Sequence, residues 1–515
     1  MLRQVSIRLS PEKAFDDASI EQALKDTGKC NPDKHEYVLR KRSIDARHRI
    51  VYVMHFDVAE KGELISQLKE RKYEISSDRK VAVIGAGSAG LFAALKLLEQ
   101  GIKPMVFERG KDIRGRRRDI AKLTREHIVN PESNYCYGEG GAGTFSDGKL
   151  YTRSSKRGSV KDILEILVNH GADNSILIDA HPHIGTNKLP KIITAIRETI
   201  ENAGGEIIFN SKLTDIKISK NCIDSIEINE KEWLKFDSVI LATGHSARDV
   251  YEVLNQNGVK IESKGFAMGV RVEHSQSFID QMQYKMEDRG DILPAAAYSL
   301  VSQIDGRGVY SFCMCPGGVI APCATSEEEI VTNGWSPSKR NNPHANSGIV
   351  VTIEDEDCQE FKEHGPLAGM HFQKSLEYKA WVSAGKTQAA PAQRLVDFMG
   401  DRKSRTLPDS SYIPGLTSVE MKEIFPKRIE NALRKGFKAF DKKMKGFIHP
   451  DAVIVAIESR SSSPVRIPRD SDTLEHVDVK GLYPCAEGAG YAGGIVSAAI
   501  DGERCAMKIS ESVNI

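Results

Sequence analysis

The 515-residue sequence has no apolar run long enough to cross a bilayer. Its first residues, MLRQVSIRLSPEK, carry scattered charges and lack the apolar centre of a secretory signal. The expectation is a cytoplasmic protein. Net charge is almost absent too: 72 basic side chains against 71 acidic ones leave +1. The whole molecule therefore has no field to draw in nucleic acid or an anionic membrane. Cysteine is sparse, nine residues without regular spacing, which argues against a disulfide framework. Internal repeats and long low-complexity tracts are missing. What remains, 40% hydrophobic and 28% charged residues, is an ordinary globular composition. The length predicts roughly two to four domains.

Residues 1–78 read as a small N-terminal α+β module. LRQVSIRLS alternates as a strand. SIEQALKDTG reads as a short helix with Ser19 as N-cap and Gly28 as its stop. YVLRKRSIDAR and RIVYVMHFDVA read as two further strands, and SSDRK links the module to the rest of the chain. KIITAIRETIENAGG is an amphipathic helix closed by glycines. EIIFN, KLTDIKIS, CIDSIEINE and WLKFDSVILATG then read as successive strands. From Gly265 to about Asp451 the pattern becomes irregular, with many Pro, Gly, Asn and Ser. The tail, GLYPCAEGAGYAGGIVSAAIDGERCAMKI, returns to α/β character.

The stretch VAVIGAGSAGLFAALKLLEQGIKPMVFERG carries the clearest signal. VAVI is apolar throughout, as a strand covered on both sheet faces should be. Gly85 permits a tight turn, Gly87 lets the backbone approach a pyrophosphate, and Gly90 lets the helix pack closely on the sheet. The helix begins there, so its free N–H groups and positive dipole end face the phosphates. Gly101 stops it. The next strand ends at Glu108, where an acid can accept hydrogen bonds from ribose hydroxyls and repel a 2′-phosphate. Strand, turn, helix and distant acid occur in the order a dinucleotide site demands. Ser88 and Ala89 within the turn, and Arg109 after the acid, join the cofactor-binding candidates.

Two further stretches decide which dinucleotide. FDSVILATGHSARD is a buried strand ending in Ala242, Thr243 and Gly244. The C-terminal stretch is another strand, then Glu487, Gly488, a glycine-rich turn and a helix starting near Ile495. With these residues the chain resembles the glutathione-reductase-like FAD flavoproteins. The resemblance implies a Rossmann-type α/β fold in which the ATG strand end lies over the cofactor. It also implies that the C-terminal acid binds the ribityl or pyrophosphate region. Glu487 stands where most members have Asp. A helix dipole at the pyrimidine end of the isoalloxazine would stabilise the anionic reduced ring, and Gly493 and Gly494 allow backbone N–H groups close to that edge. Leu213, opening the KLTDIKIS strand, is a further cofactor-binding candidate.

NPESNYCYGEGGAGTFSDGKLYTR, HPHIGTNKLP, VYSFCMCPGG, AGKTQAAPAQRL and SSSPVRIPRD resemble a narrower group, the FAD-dependent dehydrogenases traditionally called NAD(FAD)-utilising, whose substrate is unassigned. The N-terminal module also looks like the small domain of that group. In GEGGAGTFSDGKL the glycines, Gly140 and Gly141 among them, make a side-chain-poor turn that can lie against a flat ring or a phosphate. Thr144, Ser146 and Asp147 then supply donors and acceptors. The alternative is a ligand-free surface loop. Related flavoproteins place a basic side chain near the pyrophosphate, and the resemblance gives that role to Arg116. It implies a discontinuous FAD-binding domain, 79–262 and 455–515, with an inserted α+β substrate or cap domain, 263–454.

No second GxGxxG follows a strand, and no redox C-x4-C pair follows the first, so a two-dinucleotide disulfide reductase is disfavoured. If NADH or NADPH is the reductant, it binds transiently. Cys313, Cys315 and Cys323 lack the paired spacing of a zinc site, and no metal is predicted. They read as structural thiols or as substrate-facing redox groups. His181, His183 and His245 read as loop or structural residues unless partners give them proton chemistry. AWVSAGKTQ fails as a phosphate loop, because Ala380 stands where Gly is needed and a helix precedes it. RKRSIDARHR and IRGRRRD are basic; the first reads as a solvated strand face. The expectation is an FAD-binding oxidoreductase moving hydride to or from flavin N5 with an unidentified small-molecule substrate. The catalytic acid or base and the oligomeric state are not readable. A flavin-dependent RNA-modifying enzyme and a non-catalytic, redox-responsive FAD-binding interaction protein are the alternatives.

Overall fold

The computed structural model describes residues 2–63, 68–152 and 157–512. Arg153, the last residue of the LYTR stretch, lies outside them. The strand Lys80–Ile84 is the middle of a five-stranded sheet. The order across it is Leu482–Pro484, Ser238–Leu241, Lys80–Ile84, Lys103–Phe107 and Glu206–Ile208, with every pair parallel. Val81, Ala82 and Val83 have no exposed surface, because both faces of the sheet are covered. On one side lie the helices Ser88–Glu99, Leu189–Asn202 and Ile495–Glu511. On the other lie the helix Arg248–Gln256 and an antiparallel sheet of Leu213–Ser219, Cys222–Ile228 and Glu232–Leu234. The helices Ser88–Glu99 and Ile495–Glu511 cross at Ala89 and Gly502. A Cβ on Gly502 would lie 2.1 Å from the Ala89 carbonyl oxygen.

The region from Gly265 onward is more regular than its sequence suggests. Seven strands run in the order Val301–Ile304, Arg307–Cys315, His344–Ile353, Phe266–Ser275, Val453–Glu458, Ala390–Arg394 and Leu416–Ser418. All pairs are antiparallel except the last. Helices Ala368–Ser383 and Lys427–Lys443 pack against this sheet. The strand Phe266–Ser275 is buried at every position but its last, and Arg271, Glu273 and His274 are among the buried residues. With ionisable groups inside a two-faced strand, neither period two nor an apolar run survives in the sequence.

The N-terminal sheet has the order Arg3–Leu9, Val51–Glu60, His35–Asp45, all antiparallel. Its helix is Asp17–Asp26, and Asp16, not Ser19, is the N-cap: its carboxylate accepts the Ser19 N–H at 2.9 Å. Asp and Ser are comparable caps, and the residue in extended conformation just before the first turn takes the role. Gly28 follows the helix with φ of +68°. The basic strand is largely paired: Arg40 meets Asp57, Arg42 meets Asp179 and Arg47 meets Asp45. No helix among the described residues is long and apolar enough to cross a membrane.

Candidate functional site

Three glycine-bearing segments meet beyond the ends of the parallel strands. The first is the turn after Lys80–Ile84. Gly85 has φ of +103°, and a Cβ there would lie 2.6 Å from the Ala242 carbonyl oxygen. Only glycine fits both demands. The second is the loop 138–144, where the Gly140 N–H donates to the Ala86 carbonyl at 2.8 Å. A Cβ on Gly141 would lie 2.9 Å from Gly87 Cα. The third is the start of the helix Ile495–Glu511. A Cβ on Gly143 would come within 3.3 Å of both Ser88 Oγ and Ile495 Cγ1. Neither Gly87, which caps Ser88–Glu99, nor Gly494, which caps Ile495–Glu511, supplies a capping side chain. The first-turn N–H groups of both helices thus keep donors that no cap satisfies. Gly493 and Gly494 are exposed.

Glu108 sits under this convergence, 4% exposed. Its carboxylate accepts the backbone N–H groups of Ala86, Gly110 and Gly138, at 2.8, 2.8 and 2.9 Å. A carboxylate has about four acceptor positions, so it ties the turn to the loop and keeps one position over. Arg116 has no exposed surface. It donates to the carbonyls of Asn134, Tyr135, Gly138 and Glu139, which takes up most of the donors expected to serve a pyrophosphate. Burial lowers it to about 10 even so, against the pull of Glu108 and Glu139. Arg109 pairs with Glu132 and bidentately with Asp249 and lies over the Tyr137 ring. Leu213 is a core residue packed with Phe107 and Tyr137. Thr144 donates to the Glu139 carbonyl and Ser146 to that of Gly143, so both brace their own loop.

The ATG strand end and the C-terminal acid come together. A Cβ on Gly488 would lie 2.7 Å from the Gly244 carbonyl oxygen. His245, singled out separately in the sequence, meets Glu487: Nδ1 is 3.4 Å from Oε1. The other ring nitrogen, Nε2, lies 3.0 Å from the Arg460 carbonyl. A carbonyl only accepts, so Nε2 carries a proton and Nδ1 faces the carboxylate. Beside Gly493 lies a cavity of about 410 Å³ bordered by Arg157, Tyr491, Ser497 and Asp501; of the predicted residues it shares only Gly493. Asp501 is not legible in the sequence. It accepts the Ala486 N–H and both arms of Arg469. Its carboxylate lies within 4.8 Å of the thiols of Cys485 and Cys505, but the buried guanidinium already neutralises it.

Asp147 is buried. It holds Arg340 through both carboxylate oxygens and stays below the ordinary carboxylate range. Burial opposes this, and Arg340, Lys149 and His183 outweigh burial. Two residues on, Lys149 donates to the Met314 carbonyl of the seven-stranded sheet. There Arg271 and Glu458 form a pair with 0% and 1% side-chain exposure. Burial raises the Glu458 carboxyl to about 7 despite Arg271. Charged residues inside the otherwise apolar strands FAMGVRVEHS and VIVAIES are the available signal for this pair, and only the fold joins the two.

The convergence is made of glycines whose missing side chains let the three segments close on one another; two uncapped helix N-termini border it and a buried acid lies below, donors and an acceptor of the kind a dinucleotide's phosphates and ribose require.

Residues 265–461 match the family of FAD-dependent proteins, C-terminal domain-like, and residues 1–59 match a domain of unknown function. An uncharacterized protein of Clostridium beijerinckii is 41% identical over 502 residues, which span 92% of each chain. The D-amino acid dehydrogenase of Helicobacter pylori is 24% identical over 102 residues, 20% of this chain and 24% of its own. A geranylgeranyl bacteriochlorophyll reductase-like protein of Thermoplasma acidophilum covers 85% of this chain and 79% of its own, at 13% identity and a TM-score of 0.36.

Proposed function

This chain belongs to the family of the Clostridium beijerinckii protein, and its residues 265–461 match the family of FAD-dependent proteins, C-terminal domain-like; on that premise we propose that it is an FAD-dependent oxidoreductase of glutathione-reductase-like arrangement. The nucleotide-binding part is 79–262 with 455–515, and 263–454 is the substrate domain. The observation that carries the reading is the meeting of the Gly85–Gly90 turn, the Gly140–Gly143 loop and the N-terminus of Ile495–Glu511. When bound, FAD supplies hydride transfer at N5. The chain does the rest. The N–H groups at the start of Ser88–Glu99 hold the pyrophosphate, and the spare acceptor position of Glu108 takes a ribose hydroxyl. Backbone at Gly493 and Gly494, exposed at the helix start, would offer N–H groups to the ring. Arg116 holds the glycine loop in place rather than the phosphates. His245 and Glu487 stand side by side at the meeting of the ATG strand end and the C-terminal acid, polar groups placed to orient a reacting group.

The substrate is a small molecule, and NADH or NADPH serves as a passing reductant. The test is anaerobic mixing of the FAD-loaded protein with each nicotinamide while the flavin absorbance is followed. Rapid bleaching by one of them supports a reductase and names its donor. A bound flavin that neither bleaches nor responds to any organic donor overturns the oxidoreductase reading.

A further inference from the structure

Arg157 ties together two distant segments with a cavity between them. It stands just before the helix Val160–Asn169, and its Nη1 donates to the Tyr491 carbonyl at 2.6 Å, across 334 residues of chain. Gly158 seats the same segment on the helix Ile495–Glu511: a Cβ there would lie 2.7 Å from Ile500 Cγ2. The cavity of about 410 Å³ bordered by these residues is within the range of small-molecule sites. Gly493 also borders it, and no described atom comes within 4 Å of where its Cβ would stand. Gly493 is part of the backbone offered to the flavin ring, so the cavity and the proposed site share an edge.

The charge around the cavity is one-sided. A guanidinium has five N–H donors, and among the described residues Arg157 spends one, on the Tyr491 carbonyl. Asp501 is the carboxylate that borders the cavity, and the Ala486 N–H and both arms of Arg469 already occupy it. Two further cations flank the same loop. A Cβ on Gly490 would lie 3.2 Å from Lys264 Cδ, and the Arg466 guanidinium is 5.5 Å from the centre of the Tyr491 ring. Lys264 donates to the carbonyls of Gly265 and Ser463. Among the described residues neither Lys264 nor Arg466 forms an ion pair, and Glu487 is turned to His245. Unneutralised cations beside an open volume suit an organic anion of more than one negative charge.

We propose that this cavity binds the phosphate end of a nucleotide, with Arg157 as the direct contact and Lys264 and Arg466 supplying field. A guanidinium matches phosphate with parallel N–H groups. Side-chain cations thus take the place of the second GxGxxG turn that the chain lacks. The nicotinamide reductant of the proposed function carries such a diphosphate, and on that reading it docks here, beside the ring. The binding itself needs no flavin.

The test is calorimetric titration of the FAD-loaded wild type with ADP and with pyrophosphate. ADP should bind, more weakly as salt rises, and Arg157→Gln should weaken it about tenfold. Arg466→Gln, one residue removed from contact, should weaken it less. ADP should also slow anaerobic bleaching by NADH or NADPH as it fills the site. Absence of ADP binding overturns the site, as does equal binding by Arg157→Gln. Pyrophosphate bound as tightly as ADP overturns the nucleotide assignment. Loss of FAD from Arg157→Gln shows that FAD itself fills the cavity and overturns a second ligand. ADP that binds through Arg157 and leaves bleaching unchanged overturns the docking of the reductant. If the wild type retains no FAD, the functional reading fails instead, and the cavity is still decided. ADP binding that survives Gly85→Ala and is lost in Arg157→Gln supports it, and the reverse pattern overturns it.

Discussion

The two large sheets make special places by opposite means. The parallel sheet around Lys80–Ile84 removes side chains: Gly85, Gly141 and Gly143 stand where a Cβ would strike backbone or neighbouring groups. The seven-stranded sheet instead buries charge: Arg271 and Glu458 pair inside it with almost no exposure. The difference teaches what each can do. Bare backbone offers N–H donors and room for a flat or anionic ligand, whereas buried ions tune the groups beside them. The first suits holding a cofactor and the second suits setting the reactivity of what faces it.

Substitutions that break one device should leave the other standing. Arg271→Met strands Glu458 in the core, and breaking a buried pair in this way costs about 3–5 kcal/mol. Urea unfolding should show the loss near neutral pH and a smaller loss in mild acid, where Glu458 takes a proton. FAD retention should persist under native conditions. Gly85→Ala forces a Cβ into a left-handed turn 2.6 Å from a carbonyl. Strain and overlap together cost about 2–4 kcal/mol. Here the expected pattern reverses, with FAD lost from a chain that still folds. Equal loss of FAD in both variants would erase the contrast.

Proton linkage sharpens it. Burial raises Glu458 in the seven-stranded sheet and Glu503 on the helix Ile495–Glu511, each from 4.5 to about 7. In that window the folded chain holds more protons than the unfolded one, so stability falls as pH rises from about 4.5 to about 7 and then levels. Glu458→Gln and Glu503→Gln should each remove part of that slope in thermal melts taken across the window. The smallest expected effect is a matched pair of helix caps. Ser159 accepts the Asp162 N–H and Ser275 the Phe278 N–H, one beside each sheet. Alanine at either should cost about 1 kcal/mol in urea unfolding, with no change in flavin content.

Legibility followed the same division. The turn from Gly85 to Gly90 and the acid at Glu108 were readable because a strand, a backbone turn and a helix start are local events. Their partners were not. Nothing in the chain says that Glu108 accepts N–H groups from Ala86, Gly110 and Gly138, or that Arg116 spends itself on loop carbonyls. His245 and Glu487 were each visible, but their meeting depends on the strands Ser238–Leu241 and Leu482–Pro484 pairing side by side. The seven-stranded sheet was the least legible part. Its buried Arg271, Glu273 and His274 erase the hydrophobic period, and Arg271 finds Glu458 at a separation of 187 residues. At Asp16 and Ser19 two good caps stood three residues apart, and only the backbone chose between them.

The most direct test is the visible absorption spectrum of the purified protein after incubation with FAD and removal of the excess. The account predicts flavin bands with about one FAD per chain, retained by Arg271→Met and lost in Gly85→Ala. A colourless wild-type chain that retains no FAD under these conditions would contradict it.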